Sequence, residues 1–475
     1  MVSGSLPLWP QAGGKNKKQS ERTIQEARTF GQAMQWFKKG ESLIGTPREN
    51  SEEQAEFFRK AIEILPDFVE ARYNLGLIYA NQQRMKDAIA QFEEVLRLEP
   101  DFSEDIHFLI ASAYQKSGNT KAAMESLEEG VRRRPHDMKA LKALAFLQIQ
   151  NRQDAAAAGT LRKILQCNRE DVAAHLDLAL IHQKNKDLEA AVRCYQAALK
   201  MDPANFAARY NMGLIRIQQG NYAEAIKELE AANQIQTGDA VLLERLGDVY
   251  AELQEHAKAA AAYEASGKAN PDRGLIFAKL GFSQANLNRP QSAVAALEKA
   301  VRLNHETSGV YFLLGDLYTL LKRNEQAVLA YRKSLELNPQ QKTAHYNLGT
   351  LYAEMERFED AMSELKIAVQ LDPSDSSAWA NLALVEEKLH LEKEAIGAYE
   401  KLAALGEARA SHYFRLGLLY VTNEQPDRAI TAFARAIELE PDKYRMILRE
   451  ELKKVHSVLD SIRYNTKFYR LLDLP

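Results

Sequence analysis

The chain has 475 residues, and its 62 basic and 65 acidic side chains leave a formal charge of −3, so no general attraction to phosphate backbones or anionic membranes follows. Two cysteines, Cys167 and Cys194, cannot build a disulfide scaffold, and no run of apolar residues is long enough to cross a bilayer as a helix. Nucleic acid as a default partner, a disulfide-stapled fold and a transmembrane span are thereby set aside.

Residues 1–20, MVSGSLPLWPQAGGKNKKQS, are read as a disordered or processed segment, because Pro, Gly and Ser followed by KNKK cannot bury enough surface to fold. The competing reading takes Ser5 to Ala12 as the tail of a truncated signal peptide. The compartment is left open, with the cytoplasm favoured and export or a periplasm following only if the second reading holds. Ser20 is then expected to cap a helix from Glu21 to Ile44, in which Trp36 and Gly40 fall four apart. GTPREN lengthens the next turn, and Glu52 to Leu65, with Phe58 and Ala61, supplies a second helix before Pro66. Residues 21–68 make a divergent first helix pair.

From Val69 one pattern recurs, clearest in Lys342 to Asp375. Numbered from 1 at Lys342, it places His345 at 4, Leu348 at 7, Gly349 at 8 and Tyr352 at 11, one face of a helix predicted over Thr343 to Met355. Ala361 at 20, Leu365 at 24 and Ala368 at 27 repeat the step in a second helix, Glu359 to Leu371, which Asp372-Pro373 stops. Gly349 and Ala361 are small where two helix axes approach closely. Eleven such units begin at 69, 104, 138, 172, 206, 240, 274, 308, 342, 376 and 410 and run to 443, with one inserted residue near Ser103 and Glu104. Alanine holds position 20 in every unit, from Ala88 to Ala429, and proline ends most of them. Arg169, Thr237, His305 and Glu407 replace that proline without breaking the register. Pro290 and Pro426 sit at position 17, where a helix begins and a missing amide hydrogen costs little.

The unit from Met138 to Asp171 is the most worn, with Gln148 at position 11 and DAAAAGT opening its second helix, and looser packing is expected there. Residues 444–475 read as a cap. A helix from about Lys443 to Ile462 aligns Met446, Ile447, Leu452, Val455 and Leu459 on one stripe. A short last helix, capped by Asn465 or Thr466, folds Phe468, Leu471 and Leu472 back onto it.

This pattern resembles the tetratricopeptide repeat family, whose unit is an antiparallel helix pair with a small residue at 8, alanine at 20 and proline near 32. The resemblance implies an all-α fold, a right-handed superhelical α-solenoid of about twelve helix pairs with a C-terminal capping helix. It also implies a concave groove lined by positions 2, 5, 6, 9, 12 and 13 of the first helices. The candidate partner-binding residues there are Tyr210, Asn211, Leu214, Arg245, Lys279, Phe282, Phe312, Leu313, Tyr346, Asn347 and Asn381. Aromatic rings offer contact area at low entropic cost, and asparagine can both donate to and accept from an extended peptide. Leu275, Phe282, Phe312, Leu313, Leu320 and Tyr346 are expected on one wall, beside the cations Arg245 and Lys279 and the opposing Glu244, Asp248 and Glu252.

Two specialised versions of the family are absent. A clamp for a terminal Glu-Glu-Val-Asp peptide needs Asn four residues after Lys142, where Phe146 stands. Asp177, Arg245, Lys279, Leu313 and Arg415 interrupt the asparagine ladder that resembles sugar-transferase repeats.

No catalytic, metal or cofactor motif emerges. His107, His175 and His345 occupy position 4 and His182 position 11, which are framework sites, and there is no HExxH, GxSxG or phosphate loop. Cys167 and Cys194 read as idle thiols, and Arg132 to Arg134 as the basic end of a helix rather than a phosphate site. The expected protein is a non-catalytic scaffold that binds a peptide or helical segment of a protein partner in its groove. The alternative is an accessory subunit that docks an enzyme or envelope assembly through its convex face or its cap. RNA binding would need basic residues at corresponding groove positions, which the mixed charge disfavours, and self-association through an exposed end stays open.

Overall fold

The structure is a computed structural model and describes residues 17–453, 459, 462 and 465–472. The secondary structure of the described residues is helical throughout, in successive pairs here called helix A and helix B of each repeat. Repeat ten illustrates the pairing: its helix A is Lys342–Glu354 and its helix B Phe358–Leu371, close to the predicted bounds.

Small residues at position 8 do what their spacing implied. A Cβ built on Gly76, Gly247, Gly315 or Gly417 would approach the ring at position 24 of the same repeat to within 2.6 Å, so helices A and B touch where glycine removes a side chain. Ala88, Ala259, Ala361 and Ala429, all at position 20, are wholly buried.

Three features lay outside the sequence reading. Position 3 (Ala71, Ala140, Ala208, Val310, Ala344, Ala378) and position 10 (Ile78, Leu147, Ile215, Leu351, Val385) are buried, whereas Arg72, His107, His175, Tyr311 and Trp379 at position 4 are only half-buried. Positions 3 and 10 thus join the predicted 7 and 11 on the buried face of helix A, and position 4 is buried only in some repeats, among them His345, Leu141 and Phe277. Alanine at position 3 gives little hydrophobic signal, which hid it. Second, the last residue of several repeats caps the next helix: Asp171, Asn205 and Asp375 accept from the amides of Ala174, Ala208 and Ala378. Third, position 15, between helices A and B, adopts positive φ in every repeat from the second to the twelfth. Only Gly118 and Gly220 fill it with glycine; elsewhere Gln83, Arg152, Lys322, Glu356 and others take the left-handed conformation.

Repeat four is not loosely packed. Gln148 is buried, and the Thr160 hydroxyl donates to its Oε1 at 2.8 Å, so a polar pair replaces the usual aromatic contact. Ala157, Leu161 and Ile164 beside it are also buried.

Both ends depart from expectation. The first helix runs Lys17–Glu41, which places Ser20 inside it rather than at its cap, and it ends three residues early. Its partner helix, Glu52–Ile64, is capped by Ser51. The reading of residues 1–16 lies outside the described residues. At the other end Pro441 opens a helix to Leu452 that buries Tyr444 and Leu448, four apart, which turns Met446 outward at 59% exposure. Leu459 and Ile462 are buried, while Val455 lies outside the described residues. The final helix, Thr466–Leu471, is capped by Asn465 and buries Phe468 and Leu472 as expected.

The chain divides into two compact units, one ending at Gln219 and the other beginning at Gly220. In the first, helices of neighbouring repeats pack in sequence from Lys17–Glu41 to Phe206–Gln218. In the second, one continuous core extends from Phe277 to Leu472.

Candidate partner-binding face

In the second unit, helix A of repeats eight to eleven spans Gly274–Asn286, Ser308–Leu320, Lys342–Glu354 and Ser376–Lys388. Position 9 points outward from these helices, and it leaves Phe282 41% and Leu384 37% exposed, while Leu320 at position 13 is 61% exposed. Phe312 and Leu313 are half-buried. The Phe312 ring lies against Tyr331 at 6.0 Å between centroids, so part of its area already serves the core.

The asparagines at position 6 join repeats. Asn347 Nδ2 donates to Asp316 at 2.9 Å, and Asn381 Nδ2 donates to Thr350 Oγ1 at 3.2 Å and to the Tyr346 hydroxyl at 3.3 Å. These donations tie each asparagine to the preceding repeat. The Asp316 carboxylate also accepts from the Tyr331 hydroxyl at 2.6 Å. Burial raises its pKa above the usual carboxylate range, and those two donors only partly offset the effect. Asp316, Thr319, Tyr331, Tyr346, Asn347, Thr350, Leu351 and Glu354 enclose a cavity of about 240 Å³.

Lys279 is not a free anchor for a carboxylate. Its ammonium lies 2.8 Å from Glu244 and 2.7 Å from Asp248, and Arg273 also reaches Glu244 at 3.0 Å. Arg245 pairs with Asp248 at 3.5 Å and stays half-exposed. The cations counted as groove anchors neutralise acids of repeat seven, Arg245 from within that repeat and Lys279 from the next one.

The first unit holds Tyr210, Asn211 and Leu214 on helix Phe206–Gln218. Tyr210 stacks on Phe206 at 5.8 Å, and Asn211 hydrogen-bonds the Tyr195 hydroxyl, which burial pushes up to about 12. Two residues not counted among the candidates stand at position 9 of the preceding repeats: Phe146, noted only as a departure from the clamp, is 52% and Leu180 48% exposed. Position 9 was already read for Leu214 and Phe282, and following it through every repeat would have found them. Lys142 pairs with Asp171 at 2.7 Å, which removes the remaining cation a carboxylate clamp would need in that repeat.

Family models for the tetratricopeptide repeat match residues 69–102, 104–137, 176–240, 346–412 and 410–443, and a model for the TPR repeat matches 315–356, together more than half of the chain. The chain belongs to the tetratricopeptide repeat family. No protein of curated function matches it. Similar solved structures include MamA 41-end from Desulfovibrio magneticus RS-1, 20% identical over 36% of this chain and 96% of that one, with a TM-score of 0.34. A tetratricopeptide repeat protein from Parabacteroides merdae is 16% identical over 52% of this chain and 98% of that one, with a TM-score of 0.36. A structure of Naa15/Naa10 bound to HypK-THB is 16% identical over 94% of this chain and 77% of that one, with a TM-score of 0.42. All three scores fall below one half, so the assignment rests on the repeat models and the helix pairing. As a tetratricopeptide repeat protein the chain carries a fold that typically serves as a protein-interaction scaffold.

Of the polar residues considered for chemistry, His107 buries its Nε2 with no hydrogen-bond partner among the described residues, and the other histidines and the arginines below have structural partners. His345 is buried, its Nδ1 2.6 Å from Glu364 and its Nε2 3.0 Å from the Pro339 carbonyl. His175 Nε2 meets the Arg169 carbonyl at 3.0 Å, and His182 lies 3.4 Å from Asp187. Arg132 and Arg133 both pair with Glu129. Cys167 is exposed with its Sγ 3.2 Å from His136 Nδ1, and Cys194 is half-buried. Among the described residues no group of three or more metal-ligating side chains converges, and no helix is long and apolar enough to cross a membrane.

Proposed function

We propose that this tetratricopeptide repeat protein is a non-catalytic scaffold that holds a peptide or helical segment of a partner protein in the groove formed by its A helices, and so helps assemble a multiprotein complex. One observation carries the reading: helix A repeatedly exposes large apolar groups at position 9, Phe146, Leu180, Phe282 and Leu384, where solvent alone would favour polar side chains. In the second unit the half-buried Phe312, Leu313 and Tyr346 add to the surface of Phe282 and Leu384, and an asparagine side chain such as Asn347 or Asn381 can both donate and accept. Binding energy on such a face concentrates in a few aromatic and aliphatic contacts.

The test compares proteins retained from lysate by the immobilised wild type and by a Phe312→Ala/Tyr346→Glu variant, once circular dichroism shows equal helicity. Proteins held only by the wild type support the reading. Equal retention removes this face as the binding site.

A second reading, docking through the B-helix side, is favoured by Leu329. It is 66% exposed on helix Asn324–Leu337, at the edge of a cavity of about 360 Å³ walled by Val301, Tyr311, Leu314 and Tyr318. The same position in the other repeats from the second onward holds Ala, Glu, Gly, Arg, Lys, Ser or Thr, so no register requirement accounts for leucine there. Leu329→Lys abolishing retention that the groove variant leaves intact would establish this reading in place of the first.

A further inference from the structure

We propose that the cavity between repeats nine and ten receives a lysine or arginine side chain of the partner, carried on a segment with apolar residues to either side. The inference rests on the groove reading and adds the chemistry of what enters the groove. The lining holds two carboxylates, Asp316 and Glu354, and no cation. Neither carboxylate forms an ion pair with any described residue, although acids elsewhere on the A helices, such as Glu244, Asp248 and Glu387, are paired with Lys279, Arg273 or Arg415. Asp316 keeps its hydrogen bonds from Tyr331 and Asn347, both neutral donors that fix its orientation without neutralising it. The cavity, about 240 Å³, is on the scale of one long side chain. Its other walls suit such a guest, because the Tyr346 ring can cover the aliphatic stem while the charged head meets the two acids.

The flanks supply the rest of the motif. On the helix A row at position 9, Asp316 and Thr350 are bracketed by Phe282 on one side and Leu384 on the other, both exposed. Neighbouring helices pack about 8–10 Å apart, a distance that an extended chain covers in about three residues. A segment lying across the repeats therefore meets an apolar surface, an acidic cavity and a second apolar surface in turn. This polarity opposes a terminal-carboxylate clamp.

A phage-displayed library of random nine-residue peptides, selected on the immobilised full chain, tests the inference. Selected peptides are expected to carry Lys or Arg between apolar residues. A fluorescein-labelled selected peptide should bind at least about tenfold more weakly to Asp316→Asn or Glu354→Gln, and more weakly at high salt. Glu354 is exposed and Asp316→Asn keeps an acceptor oxygen for Tyr331, so both variants should fold. Glu354→Lys should restore binding to the same peptide with its base changed to glutamate. Peptides without a base, or basic peptides indifferent to both variants, overturn the inference. If those peptides still lose affinity on Phe312→Ala, the groove reading stands without it. Failure to select any peptide overturns both.

Discussion

Gly315 lies directly against Tyr331: a Cβ built on the glycine would stand 2.5 Å from ring carbons of the tyrosine, which is buried and tethered through its hydroxyl to Asp316. The ring cannot swing away without losing that bond. Gly315→Ala is therefore expected to destabilise repeat nine by about 1–3 kcal/mol through overpacking. Gly397, in the helix Glu392–Ala404, has open space around its Cβ position. Gly397→Ala should stabilise its repeat by up to about 1 kcal/mol through helix propensity alone. Hydrogen exchange, resolved repeat by repeat, should show opposite changes for two identical substitutions.

The turns between helices A and B offer a second test. Lys322 and Glu356 hold φ of 59° at position 15, where a side chain pays a conformational penalty that glycine avoids. Lys322→Gly and Glu356→Gly should each stabilise the protein, by at most about 1 kcal/mol because glycine also gains entropy in the unfolded chain. The gains should add in the double variant if the two turns are independent. Loss of stability would mean that the side chains contribute contacts beyond the backbone.

Much of this architecture was legible because the strongest constraints repeat. Helix pairing, the close approach at Gly349 and the burial of Ala361 follow from spacing alone, since each is a steric demand met in every unit. Position 3 was hidden because alanine, buried or exposed, looks the same in sequence. The candidate face was legible only in outline. Phe312 and Tyr346 were placed on it, but nothing in the sequence said that Lys279 would be held by Glu244 and Asp248, or that Asn347 would turn its amide onto Asp316. Those are contacts between successive repeats, set by side-chain reach across a helix interface. Phe146 and Leu180 were missed because position 9 was read one repeat at a time.

His345 gives the array a pH dependence of definite sign. Burial opposes its protonation, but the Glu364 carboxylate and the Pro339 carbonyl outweigh burial and raise its pKa above the ordinary histidine value. A histidine with a raised folded pKa contributes stability that is fully present below the unfolded pKa and is lost as pH rises through the folded one. The stability advantage of the wild type over His345→Asn should therefore be larger at about pH 5.5 than at about pH 8.5, spanning the ordinary histidine range near 6.5. Urea denaturation of both proteins at the two pH values measures it. An advantage that grows toward alkaline pH would show that His345 is neutral in the folded protein.

The buried pair in repeat four can be separated from ordinary packing by a double-mutant cycle. Thr160 donates to Gln148 at 2.8 Å and approaches the Ala156 carbonyl at 3.2 Å, so its hydroxyl has a second acceptor if glutamine is removed. Gln148 has no comparable substitute, and Thr160→Val strands its Oε1 inside the core. Thr160→Val should therefore cost about 1–3 kcal/mol, the penalty of an unsatisfied buried polar group, and Gln148→Leu less. The double variant Gln148→Leu/Thr160→Val should recover most of the loss, because an apolar pair of similar shape needs no hydrogen bond. If the double variant is as unstable as the two losses summed, the pair acts through shape rather than through its hydrogen bond. Repeat four would then owe its tight packing to the alanines of Asp154–Cys167, not to the polar exchange at position 11.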